Sequence, residues 1–440
     1  MSVVLLKTRR TADLGPQRAP PVTNGFAPPV ATGFAPLLAP RAAPPAPDPR
    51  APPPSLGPPQ IANLGPGYDF LGCAVEGEGD TVFARPRPDL PPGAVEIESM
   101  SGENCRRLSR DPRDNCCGIA AAAVLRRLSA AEGGPGVTCG VGLALRKGMP
   151  LGSGMGSSAA SAAAAAEAVS ALFGSPLPRA ALVHAGLESE AAVSGWHADN
   201  IAPAVLGGFV LVRSTPGPAT EDEADGPSDP AGSGALDVLS LPWGGAAGAM
   251  RPGGGGGGGG APDDVFFVLV CPRFEAPTRL MRAAVPRTVP SPAWIANSTQ
   301  GASLVAGVLA GDARLVGAAL SADCIVEPAR GPLIPGFAAV KEAALAAGAR
   351  GCTISGAGPT VVAVVDCPRV GEAVRAAMCD AFGAHGGLGI DRSSVTRLAL
   401  EGARAEARPA RAFPRDEDGD ETASGDGGGA RGKGGDGGSE

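Results

Sequence analysis

Two apolar periods organise the chain between Thr81 and Val365. Runs with strand character at Thr81 to Ala84 and Val95 to Glu98, and an alternating run from Val137 to Leu145, predict strands. Longer stretches of strong helix formers predict helices from about Cys116 to Leu128, from Ser157 to Phe173 and from Pro178 to Val193. Asn115 stands where the first of these needs its N-cap. The unbroken apolar run Val265 to Val270 predicts a buried strand, and helices follow at Pro277 to Arg282, near Ser298 to Ala310, at Asp312 to Ser321 and at about Phe337 to Ala347. Cys352 to Val365 reads as strand, tight glycine turn, strand. Strands and helices mixed in this way predict an α+β protein.

Outside that span the pattern dissolves. The 440 residues include 67 Gly and 46 Pro, more than a quarter of the chain, so the packed part is smaller than the length suggests. Residues 1–60 are proline-rich and basic with only Asp13 and Asp48 as acids, which predicts a disordered leader. Such composition fits a transit peptide and a plastid stroma address, with a leader carrying no address, and a cytoplasmic protein, as the alternative. Residues 214–264, acidic and then glycine-only from Gly253 to Gly260, predict a flexible insertion, and residues 405–440 a disordered tail. The ordered domains are then 61–213 and 265–404. The net charge of -7 is concentrated in low-complexity stretches and predicts no nucleic-acid partner. Ten cysteines without a CxxC pair, and three histidines, indicate neither a zinc site nor a disulfide framework, and so a reducing compartment. No apolar run approaches 18 residues, so no membrane partner is expected.

Candidate chemistry changes the picture most at Lys147-Gly-Met-Pro-Leu-Gly-Ser-Gly-Met-Gly-Ser-Ser158. Gly148, Gly152, Gly154 and Gly156 permit positive φ, which turns successive N–H groups toward one anion, and the following helix brings its positive dipole end to the same place. No Gly-Lys-Ser/Thr follows, so this is not a Walker loop. Asn63 and Asp69 lie in a glycine-turn segment and read either as ligand contacts or as an Asx-turn satisfying its own backbone. His197, Asp199 and Asn200 crowd into a loop before an apolar strand, a composition suited to a site or to a capped surface loop.

Three blocks, Ala62-Asn-Leu-Gly-Pro-Gly-Tyr-Asp69, Pro150-Leu-Gly-Ser-Gly-Met-Gly-Ser-Ser-Ala159 and Ser355-Gly-Ala-Gly-Pro-Thr360, resemble the three signatures of the GHMP small-molecule kinases, in order. Three further blocks, starting at His197, Glu275 and Glu327, resemble the homoserine kinase branch of that family, its plant and algal form most. The resemblance implies a ribosomal-S5-like N-terminal domain, a ferredoxin-like C-terminal domain and a cleft between them. It implies ATP and Mg2+ as cofactors, L-homoserine as substrate and threonine biosynthesis as the setting, with a homodimer as a candidate assembly. It would put ATP phosphates on Pro150, Leu151, Gly152, Ser153, Gly154, Met155, Gly156, Ser157, Ser158 and Ala159, with Asn115, Gly356 and Gly358 nearby. It would put the metal on Ser158 and Glu190, with Glu188 as competitor because the loop before His197 is one residue shorter than in some members. Homoserine would meet Asn63, Asp69, His197, Asp199, Asn200, Thr278, Arg282 and Arg330, the arginines suiting its carboxylate and Asp199 positioning before acting as base.

The block from Ala51 to Gln60 departs from the family pattern, since its prolines remove ladder donors and exclude a central strand, so that either an edge strand is absent or the upstream sequence is misassigned. A sibling kinase for another small alcohol, and a catalytically silent nucleotide-binding sensor, are the competing readings.

Overall fold

The computed structural model describes residues 54–102, 104–131, 136–193, 195–214, 236–245, 264–405 and 413–414. The expected leader address, most of the insertion and most of the tail lie outside the described residues.

The N-terminal half is built on two sheets. One runs β13-β1-β4-β6-β5, from β1 (Ser55–Gly57), β4 (Asp80–Arg87), β5 (Val95–Gly102), β6 (Gly140–Lys147) and β13 (Arg404–Ala405). Only β5 and β6 pair in parallel; the other neighbours are antiparallel. The second sheet runs β2-β3-β7-β8, from β2 (Gln60–Ala62), β3 (Leu71–Ala74), β7 (Phe209–Ser214) and β8 (Leu236–Leu241), all antiparallel. Four helices pack with these sheets: α1 (Cys116–Ala130), α2 (Ser157–Leu172), α3 (Arg179–Val193) and α4 (Ala198–Leu206). Asn115 caps α1 as expected, its side chain accepting from Cys117 N. Helix α2 is buried nearly all round, and its small alanines let β1, β4, α1, α3 and α4 all approach it.

Three expectations are corrected here. The proline-rich segment does form strands, but in two three-residue pieces, with Pro58 and Pro59 falling between β1 and β2 where no ladder donor is needed. Gly57 sits so close to α2 that a Cβ there would lie 2.0 Å from the Ala160 carbonyl oxygen. The insertion supplies β8, which covers the edge of β7. His197 to Asn200 is not a loop: His197 is the N-cap of α4, and Asp199 and Asn200 lie in its first turn.

The C-terminal sheet runs β10-β11-β9-β12, from β9 (Phe266–Pro272), β10 (Gly351–Ile354), β11 (Val361–Val365) and β12 (Ile390–Arg397), entirely antiparallel. This is the ferredoxin-like order. Both faces are covered, which explains the unbroken apolar run: Phe267 and Leu269 face one core, and Phe266, Val268 and Val270 the other. Helices α9 (Phe337–Ala346) and α10 (Pro368–Ala381) pack on one side of it. On the other lie α6 (Ser291–Ala310) and α7 (Ala313–Ser321). Two short helices, α5 (Thr278–Ala283) and α8 (Val326–Arg330), reach toward the first domain. The first core also contains Ile61, Leu71, Met149 and Met155, so the two halves share one apolar interior. For α10 and β12 the pattern predicts nothing, and they complete this layer. The tail also departs from expectation: β13 joins β1, and Phe413 lies beneath the Arg85 guanidinium, 4.7 Å from it.

Candidate active site

Strand β6 delivers Lys147 to the glycine loop, and α2 begins ten residues later at Ser157. Gly152, Gly154 and Gly156 take φ of 66°, 79° and 71°, the left-handed region that lets their amides turn inward. Gly148 does not; it is small because a Cβ would lie 2.3 Å from the Gly79 carbonyl oxygen. Beneath the loop is a buried ion pair that sequence reasoning missed. Lys147 Nζ bonds Asp80, and also donates to Ser157 Oγ at 2.6 Å and Ser161 Oγ at 3.0 Å. Asp80 Oδ1 accepts from Gly148 N at 3.0 Å, so one carboxylate fixes both ends of the loop. A lysine opening the loop in a lysine-poor chain was the available signal; nothing local marked Asp80.

The third glycine block closes on this loop. Ser355 Oγ donates to the Gly154 carbonyl at 2.8 Å, Thr360 N to the Ser153 carbonyl at 3.2 Å, and Gly356 N to the Ala62 carbonyl at 2.9 Å. A Cβ on Gly154 would meet the Ser355 oxygen at 2.6 Å and the Gly358 oxygen at 2.7 Å. All three blocks therefore converge.

The amino-acid side is a charged cluster. Asn63 Oδ1 accepts from Asp69 N at 2.8 Å, a bond across six residues and so not an Asx-turn, and both residues have positive φ. Arg282 grips Asp69 through two nitrogens at 3.0 and 3.2 Å and donates to the Tyr68 hydroxyl at 2.9 Å. Its fork is thus already occupied, and only Nε lacks a partner among the described residues. His197 Nδ1 lies 3.4 Å from Asp69. Arg330 is 1 % exposed, donates Nε to the Met281 carbonyl at 2.9 Å and Nη1 to the Gly356 carbonyl at 3.2 Å, and lies 4.8 Å over the Tyr68 ring. Its Nη2 has no partner among the described residues. Burial pulls the Arg330 guanidinium below its ordinary pKa, and raises that of the Tyr68 hydroxyl with help from Asp69. Asp199 is fully buried, and neither carboxylate oxygen has a partner among the described residues; burial, and then the nearby Asp69 charge, push it up to about 7.

The glycine loop and part of the charged cluster, Asn63, His197, Arg282 and Arg330, line one cleft of about 350 Å³. Of the expected site residues, Pro150, Met155, Ala159, Gly358, Asp69 and Asp199 do not line it; Met155 and Ala159 belong to the core. The rest do, together with Leu108, Asp114, Cys116, Lys147, Ser161 and Ala357, which sequence reasoning did not single out. Asn115 lines the cleft with its side chain committed, accepting from Cys117 N at 3.1 Å and donating to the Ser109 carbonyl at 2.7 Å. Glu190 is 3 % exposed and lines the cleft, and with burial it pushes the Cys116 thiol up to about 11. Glu188 points the other way, bonded to Arg126 and to Arg127 at 2.7 Å, which removes it as a cleft ligand. Ser158 and Glu190 are hard oxygen donors at one cleft, and a magnesium ion bound with phosphate fits such a set. No group of three or more His, Cys, Asp or Glu that could cage a metal occurs among the described residues. No helix among the described residues is long and apolar enough to cross a membrane.

Known proteins resemble this chain in sequence and fold. Residues 118–208 match the GHMP kinases N terminal domain and residues 304–384 the GHMP kinases C terminal domain. A homoserine kinase of Arabidopsis thaliana is 49% identical over 350 residues, covering 80% of this chain and 83% of that protein. One from Chlorobium phaeovibrioides is 37% identical, covering 73% and 89%. The crystal structure of homoserine kinase from Cytophaga hutchinsonii superposes with a TM-score of 0.65 at 33% identity, covering 80% of this chain and 96% of that one. With three glycine blocks converging on one cleft and near-half identity over most of its length, this chain belongs to the homoserine kinase family of the GHMP kinases.

Proposed function

We propose that the protein transfers the γ-phosphoryl group of ATP to the side-chain hydroxyl of L-homoserine, giving O-phospho-L-homoserine on the route to threonine. One observation carries this choice of substrate: the buried Arg330 guanidinium has one nitrogen without a partner among the described residues, on a cleft that the glycine loop also lines. A carboxylate is the ligand that such a nitrogen suits. The Asp69 carboxylate is held by Arg282 and does not line the cleft, so the carboxylate end alone carries the choice. A galactose or other neutral alcohol would not use that nitrogen.

In this reading the loop amides and the α2 N-terminus hold the β and γ phosphates, with Lys147 and Asp80 keeping the loop rigid. Ser158 and Glu190 would hold a magnesium ion, which would supply neutralisation of charge on the phosphates. The homoserine oxygen forms the new O–P bond as the bond between the γ phosphorus and the bridging oxygen breaks, ADP leaves with that electron pair, and the hydroxyl proton passes to an oxygen of the transferred phosphoryl group or to water. The transition state is loose, so positioning outweighs a strong base. Asp199, off the cleft wall, supports the cluster around Arg282 and Asp69. The basic leader supports a plastid address, tested by fusing residues 1–60 to a fluorescent protein. Trp294 and Ile295, exposed on α6, support self-association, tested by sedimentation against the 43.2 kDa monomer.

Coupled ADP release over L-homoserine, mevalonate, galactose and shikimate tests the reading. Release should depend on homoserine and not on the others. Equal release with and without homoserine overturns it.

A further inference from the structure

Arg330 sits at the end of α8, a helix of five residues. So short a helix does not hold its own shape, and a buried guanidinium needs fixed acceptors. The helix is held from outside. Asp323 caps it, its carboxylate accepting from the backbone N–H of Ile325 at 2.9 Å, Val326 at 3.0 Å and Glu327 at 2.9 Å. Glu327, one turn before Arg330, carries the second tether. One of its carboxylate oxygens accepts from Lys341 Nζ on α9, and the other from Thr353 Oγ1 on β10 at 2.9 Å. Lys341 Nζ also donates to the Ser321 carbonyl at the end of α7, at 2.9 Å. Strand β10 then leads, three residues past Thr353, to Gly356, whose carbonyl accepts from Arg330 Nη1.

We propose that Glu327, neutralised by Lys341, is a positioning residue that fixes Arg330 for the substrate carboxylate by tying its helix to the strand that supplies its acceptor. It touches no substrate itself, since it does not line the cleft. The proposal rests on Arg330 being the carboxylate site. Failure of that parent reading is seen separately, as wild-type enzyme whose ADP release ignores homoserine, and it would take this proposal with it.

The test uses full-length Glu327→Gln, Arg330→Lys and the double variant, each titrated with homoserine and with ATP. Glu327→Gln keeps size and shape but loses the charge that Lys341 balances. It should raise the homoserine KM about tenfold, leaving the ATP KM and kcat within about threefold, because a positioning defect at the amino-acid end removes binding there first. In the Arg330→Lys background it should add less than about twofold, since residues acting through one another are not additive. A general loss in which the ATP KM or kcat moves as far as the homoserine KM, or effects that multiply in the double variant, overturns the proposal. Should Glu327→Gln not fold, Thr353→Val removes one donor to the same carboxylate and should raise the homoserine KM about threefold with the same split. A folded Thr353→Val enzyme with an unchanged homoserine KM overturns the proposal as well.

Discussion

Alanine at Gly154 and at Gly152 should have unequal costs, although both are glycines of the same loop with left-handed φ. At Gly152 the added Cβ meets nothing within 4 Å, so only backbone strain is introduced, about 1–2 kcal/mol. At Gly154 the same strain applies, and the Cβ also presses on the carbonyl oxygens of Ser355 at 2.6 Å and Gly358 at 2.7 Å. Those are backbone atoms and cannot rotate aside. Relief requires the two loops to separate, which breaks the Ser355 Oγ bond to Gly154 and the Thr360 N bond to Ser153, each about 1 kcal/mol. The sum for Gly154→Ala is about 3–4 kcal/mol. At about 2 °C per kcal/mol for a large domain, thermal unfolding without nucleotide should drop about 6–8 °C for Gly154→Ala and about 2–4 °C for Gly152→Ala. Separation of the loops also moves Gly356, the acceptor of Arg330, so Gly154→Ala should raise the homoserine KM as well as that for ATP. Equal melting shifts for the two variants, or a Gly154→Ala enzyme with a normal homoserine KM, would refute the claim that the loops bear on each other.

Arg330→Lys keeps the charge and loses the planar fork, so the homoserine KM should rise about 10- to 100-fold, the value of one charge-assisted hydrogen bond, with the ATP KM within about twofold. Arg282→Lys should act by releasing Asp69, and isothermal titration should show weaker homoserine binding with ATP binding kept. Glu190→Gln should lower kcat with partial recovery at raised magnesium, whereas Glu188→Gln, losing only a partly exposed pair with Arg126 and Arg127, should keep wild-type rates; the reverse outcome would move the ligand to Glu188. Asp199 holds its proton to about pH 7 when folded but to about 3.8 when unfolded, so wild-type stability should decline as pH rises from about 4 to 7 and level off above. Asp199→Asn should remove that slope in chemical unfolding, and an unchanged slope would refute the assignment. Replacing residues 246–263 by a short linker should preserve kcat, while a deletion that takes β8 strips the edge of β7 and should lower the melting temperature.

Much of this protein is legible in its sequence, because local backbone demands are written locally. Glycines that must take positive φ, the N-cap Asn115, the alanine helix and the strand run at Val265 each announce a conformation that neighbouring residues enforce. The three glycine blocks marked the loops that converge on the cleft for the same reason. Tertiary structure alone decided what long-range partners decide. Glu188 and Glu190 lie two apart on one helix, and only the packing of α3 sends one to the arginines of α1 and the other to the cleft. Arg282 reads as an open fork until Asp69, 213 residues away in sequence, is found inside it. Asp80 and Lys147 are unremarkable apart and become one buried pair only where β4 meets the end of β6. Even the proline-rich entry to the fold became strand, because prolines forbid a ladder only where they stand, and β13 and β4 supply partners for the three residues before them.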